Sequence, residues 1–139
     1  MKIKSYETFK CDAGWRTFSF LKMVTDSGIV GWSEYNESFG SPGLSGVIDV
    51  LMPSVIGQDP MALELINAVL ATRSTQSRGG VVRQAVAAIE NALLDIKGKA
   101  LGVPVCQLLV ASCATASRST GRIAAPTACA TRCWSASPP

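Results

Sequence analysis

The chain has 139 residues, 47% of them hydrophobic, with 13 Lys and Arg against 10 Asp and Glu, a net charge of +3, and no histidine. One ordinary domain fits this length, and a complete (β/α)-barrel enzyme, which takes about 250 residues, does not. Without histidine there is no Ser-His-Asp or Cys-His nucleophile, no His-ligated zinc and no imidazole base. Apolar stretches are short and broken by Lys, Asp or Pro, so none approaches the roughly 20 residues of a membrane span. Met1-Lys2-Ile3-Lys4 opens directly into polar/apolar alternation instead of a secretory leader. A soluble, cytoplasmic protein is expected.

Residues 2–10, Lys-Ile-Lys-Ser-Tyr-Glu-Thr-Phe-Lys, alternate with period two and carry the charges of an edge strand. Residues 17–25 and 29–36 are rich in aromatic and β-branched side chains. Between them Asp26-Ser27-Gly28 supplies a hairpin connection with glycine where φ must be positive. Residues 39–46, Phe-Gly-Ser-Pro-Gly-Leu-Ser-Gly, hold too much Gly and Pro for a regular element and are expected as a mobile loop. Val47, Ile48, Val50, Leu51 and Val55 then recur as a helical face that Pro53 should kink or shorten. Asp59 can cap a second helix with Pro60 in its first position, running on through residues 61–73. The clearest periodicity follows a polar link: Val82, Ala85, Val86, Ile89, Leu93 and Ile96 form one stripe of a third helix, which Gly102 and Pro104 end. Its other side is interrupted by Ala87, Ala88 and Leu94, so either a further body covers that side or the chain's own core does. The fold class expected is α+β, a three-stranded antiparallel meander followed by about three helices.

The chain divides by composition into residues 1–109 and 110–139. The first stretch holds ten Lys/Arg and ten Asp/Glu, and the second holds three Arg and no acid. The last thirty residues contain eight Ala, five Ser, four Thr and three of the five Cys, with Val110, Ile123 and Trp134 as the sizeable apolar groups. Ordering them would cost about 30–60 kcal/mol of conformational entropy. Burying three large side chains returns only about 5–9 kcal/mol, so disorder is expected. Cys113, Cys129 and Cys133 lack a CxxC spacing, a histidine and a nearby acid, which argues for incidental thiols over a zinc site. Three dispersed arginines neutralise too few phosphates for a nucleic-acid partner.

Ala85-Val-Ala-Ala-Ile-Glu90-Asn-Ala-Leu-Leu-Asp95-Ile-Lys-Gly98-Lys99, then Pro104-Val105 and Leu108-Leu109, resembles the N-terminal signature of the mandelate racemase/muconate lactonizing branch of the enolase superfamily. Thr25-Asp-Ser-Gly-Ile-Val-Gly31-Trp32-Ser-Glu34 and Ile56-Gly57-Gln-Asp59-Pro60 are similar to the same family, which usually has Gly in place of Ser33. The resemblance spans residues 1–109 and implies an enolase-like N-terminal capping domain packed on its own (β/α)-barrel. It further implies a parent enzyme, an acid-sugar dehydratase or racemase, in which a base takes the proton α to a small substrate's carboxylate and Mg²⁺ holds the enediolate. The metal's acidic ligands and the Lys or His bases belong to the barrel. Residues 1–109 are therefore expected to bind no metal or other cofactor, to have no catalytic residue and to be inactive alone.

Two cap loops of the family select the distal part of the substrate, and by position they correspond to residues 11–16 and 39–44. Trp15 and Arg16 are the sharpest candidates, an aromatic face and a fixed cation suited to a polyhydroxy acid or a second carboxylate; Phe39, Ser41 and Leu44 are the others. Each has a plainer reading, surface decoration for the first two and loop packing for the rest. Glu90 and Asp95 point different ways on the helix; Asp95 reads as an i, i+4 partner of Lys99 or as a contact to the barrel. The alternative function is a free-standing α+β ligand-binding or interaction module. A cap without its barrel should expose an apolar surface and self-associate.

The family signature continues Leu-Leu-Gly-Gly and then an Arg-Asp-Arg-Ile-Pro-Val-Tyr type of strand into the barrel, whereas this chain continues Leu108-Leu109-Val110-Ala111. Restoring one G after codon 109 lets permitted codons for residues 110–130 read Leu-Gly-Gly-Glu-Leu-Arg-Asp-Arg-Ile-Pro-Val-Tyr in the other frame. A one-base deletion would thus have replaced the barrel with an unrelated tail.

Overall fold

The computed structural model describes residues 1–38, 40–75 and 79–109. The expected disordered tail, its three cysteines and Phe39 lie outside the described residues. Strands β1 (Ile3–Asp12), β2 (Thr17–Thr25) and β3 (Val30–Tyr35) form an antiparallel sheet in the order β1-β2-β3. Helices α1 (Leu44–Leu51), α2 (Leu63–Arg73), α3 (Gly80–Leu101) and α4 (Val105–Leu109) follow. The expected α+β meander is present, with one short helix more than the periodicity showed. Met1–Lys97 forms one compact unit, and Gly98 begins a second.

Register explains how a charged first strand contributes to a core. Tyr6 pairs with Met23, Thr8 with Leu21 and Lys10 with Ser19, so these residues share the inner face. The register shifts between Ile3 and Ser5, and such a bulge adds one residue to a strand. Ile3 therefore also turns inward, opposite to Phe9, although strict alternation would put the two on one face. Leu21 and Met23 are fully buried, while Phe9 and Trp32 are 40% and 45% exposed on the outer face. The β2–β3 connection is the expected one: Thr25 N–H donates to the Ile29 carbonyl at 3.0 Å, and Gly28 has φ +85°.

The helices differ from the sequence reading in three places. Residues 44–46, expected in a mobile loop, form the first turn of α1, because Leu44 begins a stripe with Ile48, Leu51, Met52 and Val55, all buried. Val50, expected on that face, lies about 200° around the helix from Ile48 and is 76% exposed. Pro53 does shorten the helix: α1 ends at Leu51 and passes into a 3-10 turn, Met52–Ser54. Asp59 caps a turn and not a helix. Its carboxylate accepts from Met61 N–H at 3.0 Å and its carbonyl from Ala62 N–H at 3.0 Å, and α2 starts only at Leu63.

Helix α3 places Ala85, Val86, Ile89, Ala92, Leu93 and Ile96 in the core. On its other side Ala88 and Leu94 are buried and Ala87 is exposed, so most of its surplus apolar surface is covered within the chain. Asp95 accepts the Trp32 backbone N–H at 2.9 Å, a role that neither sequence reading of this residue contained. In the second unit, Gly102 has φ +67°, Val103 N–H bonds to the Gly98 carbonyl at 3.0 Å and Gly102 N–H to that of Lys99 at 3.3 Å. This pair of bonds is the Schellman ending that the glycine suggested. Pro104 then opens α4.

Candidate functional site

The β1–β2 turn and the chain leaving β3 lie together at one end of the sheet. The β1–β2 turn is tight: Ala13 N–H donates to the Arg16 carbonyl at 2.9 Å, the Asp12 carboxylate accepts from Gly14 N–H at 2.9 Å, and Gly14 has φ +84°. The antiparallel register sets the start of β2 beside the end of β3, with Ser19 opposite Tyr35. The chain leaving β3 therefore passes next to the turn, and Ser38 Oγ donates to the Thr17 carbonyl at 2.7 Å.

Trp15 stands outward, 75% exposed, with its ring edge-on to Phe18 at 5.9 Å between centroids. Arg16 lies over the Phe18 ring at 4.7 Å, and its Nη2 is 3.6 Å from Glu34 Oε1. A guanidinium braced by a ring and a carboxylate keeps its charge in one place, so this pair can present an aromatic face and a positioned cation together. Ser41 and Leu44 take part in packing. Ser41 is buried and its hydroxyl bonds to the Gln84 side chain of α3, while Leu44 is wholly buried in the core.

Beneath these segments lies a polar cluster that sequence reasoning missed. Lys10, Ser19 and Tyr35 form one cross-strand row on the inner face, which Leu21 and Met23 of β2 continue as apolar surface. The Glu37 carboxylate sits against this row, 3.1 Å from Lys10 Nζ, and accepts from Ser45 Oγ at 2.6 Å and Ser45 N–H at 3.4 Å. Ser45 has one hydroxyl proton, given to Glu37, so Tyr35 OH is the donor in the 2.8 Å contact between the two hydroxyls. The Ser45 hydrogen bond, with the Lys10 ammonium behind it, outweighs burial and holds Glu37 below the ordinary carboxylate pKa. Polar residues at inner-face positions of three strands were the available signal, but only the register aligns them.

Among the described residues no three His, Cys, Asp or Glu side chains gather as a cation site. The described residues therefore do not fit Mg²⁺, whose ligands the resemblance assigns to the barrel. No described helix is long and apolar enough to cross a membrane.

The family model for the mandelate racemase / muconate lactonizing enzyme N-terminal domain matches residues 11–110. Among curated proteins, the D-galactonate dehydratases of Pectobacterium atrosepticum and Verminephrobacter eiseniae are 41% and 38% identical over 109 residues, which is 78% of this chain. The chain spans only 28% of the length of either. Among solved structures, a Burkholderia xenovorans protein provisionally described as an L-alanine-DL-glutamate epimerase is 48% identical with a TM-score of 0.76, over 78% of this chain and 28% of that one. The 3,6-anhydro-D-galactonate cycloisomerase of Zobellia galactanivorans is 32% identical with a TM-score of 0.72, over 78% and 32%. The meander, the helices and the signature along α3 are thus those of a known domain, and the chain belongs to the mandelate racemase / muconate lactonizing enzyme family through its N-terminal domain.

Proposed function

We propose that this chain is the substrate-capping domain of a Mg²⁺-dependent enzyme that abstracts the proton α to the carboxylate of an acid sugar, as a dehydratase or racemase. The observation that carries the reading is the convergence of the β1–β2 turn and the segment after β3 at one sheet end, joined by the Ser38–Thr17 hydrogen bond. Trp15 and Arg16 meet the distal part of the substrate, while Ser41 and Leu44 shape the neighbouring segment from beneath. Its similarity to D-galactonate dehydratases supports a polyhydroxy acid. The partner is the parent's own (β/α)-barrel, which supplies the bases and the metal ligands, so the chain alone turns over nothing. It works in the cytoplasm and, without a barrel, associates with itself through the surface the barrel would cover.

The same reading places a lost base after codon 109. In its favour, the family match stops at residue 110, and the first two dehydratase alignments run for 109 residues. Resequencing the gene across that codon tests the frame: an intact run with no lost base would remove the frame argument. Testing the function requires the restored-frame protein, assayed on a panel of acid sugars with Mg²⁺. Arg16→Met should raise KM about tenfold or more for substrates with a distal carboxylate, corresponding to about 1.4 kcal/mol of lost binding, with kcat little changed. Equal kinetics for Arg16→Met and wild type across the panel would sink the assignment.

A further inference from the structure

The geometry points to Glu37 as a positioning residue that makes the two cap segments one mechanical unit, so that Trp15 and Arg16 cannot shift without the chain after β3. The inference rests on the capping reading for its purpose, though not for its test.

Glu37 and Ser38 are consecutive and bind three different elements. Glu37 holds β1 through Lys10 and α1 through both the hydroxyl and the backbone N–H of Ser45. Ser38 holds the first residue of β2 through the Thr17 carbonyl, immediately after Arg16. Lys10 lies two residues before Asp12, whose carboxylate shapes the turn that carries Trp15. The turn is therefore tied on its β1 side through Lys10 and on its β2 side through Thr17, both ties running to the same dipeptide. The Glu37 side chain is only 13% exposed, and a shielded, charge-assisted contact of this kind holds its geometry better than an exposed one. Tyr35, donating to Ser45, orients the hydroxyl that Glu37 accepts.

Amide hydrogen exchange on the 139-residue chain tests the coupling. In Glu37→Ala the β1–β2 turn and the residues flanking Ser38 should lose protection together, by about tenfold or more, while the hairpin turn at Asp26 and Gly28, at the opposite sheet end, keeps its protection. Lys10→Met, whose side chain is 60% exposed and so removable without opening the core, should give a smaller loss shared by the same two places. Glu37→Gln keeps an acceptor for Ser45 but no charge for Lys10, and should resemble Lys10→Met. A uniform loss at both sheet ends would reduce Glu37 to a general structural residue and overturn the inference. So would loosening after β3 that leaves the β1–β2 turn protected. If Glu37→Ala does not fold, Lys10→Met and Ser38→Ala make the same comparison. Failure here would leave the capping reading standing, since that reading fails separately on the Arg16→Met kinetics of the restored-frame enzyme.

Discussion

Gly31 shows how far one side chain's absence can matter. A Cβ at this position would lie 2.4 Å from the Ala92 carbonyl oxygen and 2.5 Å from Ile96 Cγ1, so β3 approaches α3 closely only because nothing projects there. Gly31→Ala should destabilise the fold by about 1–3 kcal/mol, the usual result of overpacking, seen as a lower urea midpoint at constant m. Gly46 is the counterpart: it is exposed, lies inside α1, and its Cβ would meet nothing within 4 Å. Gly46→Ala should stabilise by about 0.5–1 kcal/mol in the same measurement, through helix propensity. Glu37 makes a pH-dependent contribution. Its folded pKa is lowered, chiefly by the Ser45 hydroxyl and then by Lys10, so its stabilisation is complete above the ordinary glutamate range and disappears as pH falls through the depressed value. Comparing urea midpoints at neutral pH and near pH 3, Glu37→Gln should show a smaller acid loss than wild type. Of these residues only Gly31 stood out in the sequence, as part of the motif; Gly46 looked like loop, and Glu37 had no period to belong to.

Among the elements, β3 and α3 depend on each other most directly. Trp32 N–H on β3 donates to the Asp95 carboxylate of α3, so a strand edge that could pair with another chain is occupied by a helix side chain. Asp95→Ala should cost about 1–2 kcal/mol for the lost charge-assisted bond and speed exchange of the Trp32 amide selectively, by NMR. The outer sheet face is managed in a similar way. Lys22 Nζ lies 5.7 Å from the Phe9 ring centroid and 6.0 Å from that of Trp32, and Arg16 covers Phe18. Cations snorkelling over rings screen an aromatic surface from stacking partners. Strand and helix identities were legible because periods of 2 and 3.6 survive in β2, β3 and α3. The boundaries that failed did so for identifiable reasons: Leu44 is held by core burial despite the Gly and Pro before it, and the Asp59 turn satisfies its own amides before α2 begins.

At the scale of the whole molecule, the 139-residue chain should show no turnover of acid sugars with Mg²⁺, should scatter light as an associating species, and should become active when the reading frame is restored. Activity of the purified short chain on any carboxylic acid would refute the first expectation. The order of the elements, the hairpin turn, the glycine ending of α3 and the family were all determined by sequence, because each rests on neighbours within a few residues or on a motif read in order. Tertiary structure alone decided that the β1 bulge turns Ile3 inward, that Lys10, Ser19 and Tyr35 share a row, and that Glu37 and Ser38 tie two distant segments together. Those facts depend on register and on contacts between residues far apart in the chain. A one-residue slip reverses every inward and outward assignment along a strand, and no local pattern in this sequence specifies the slip.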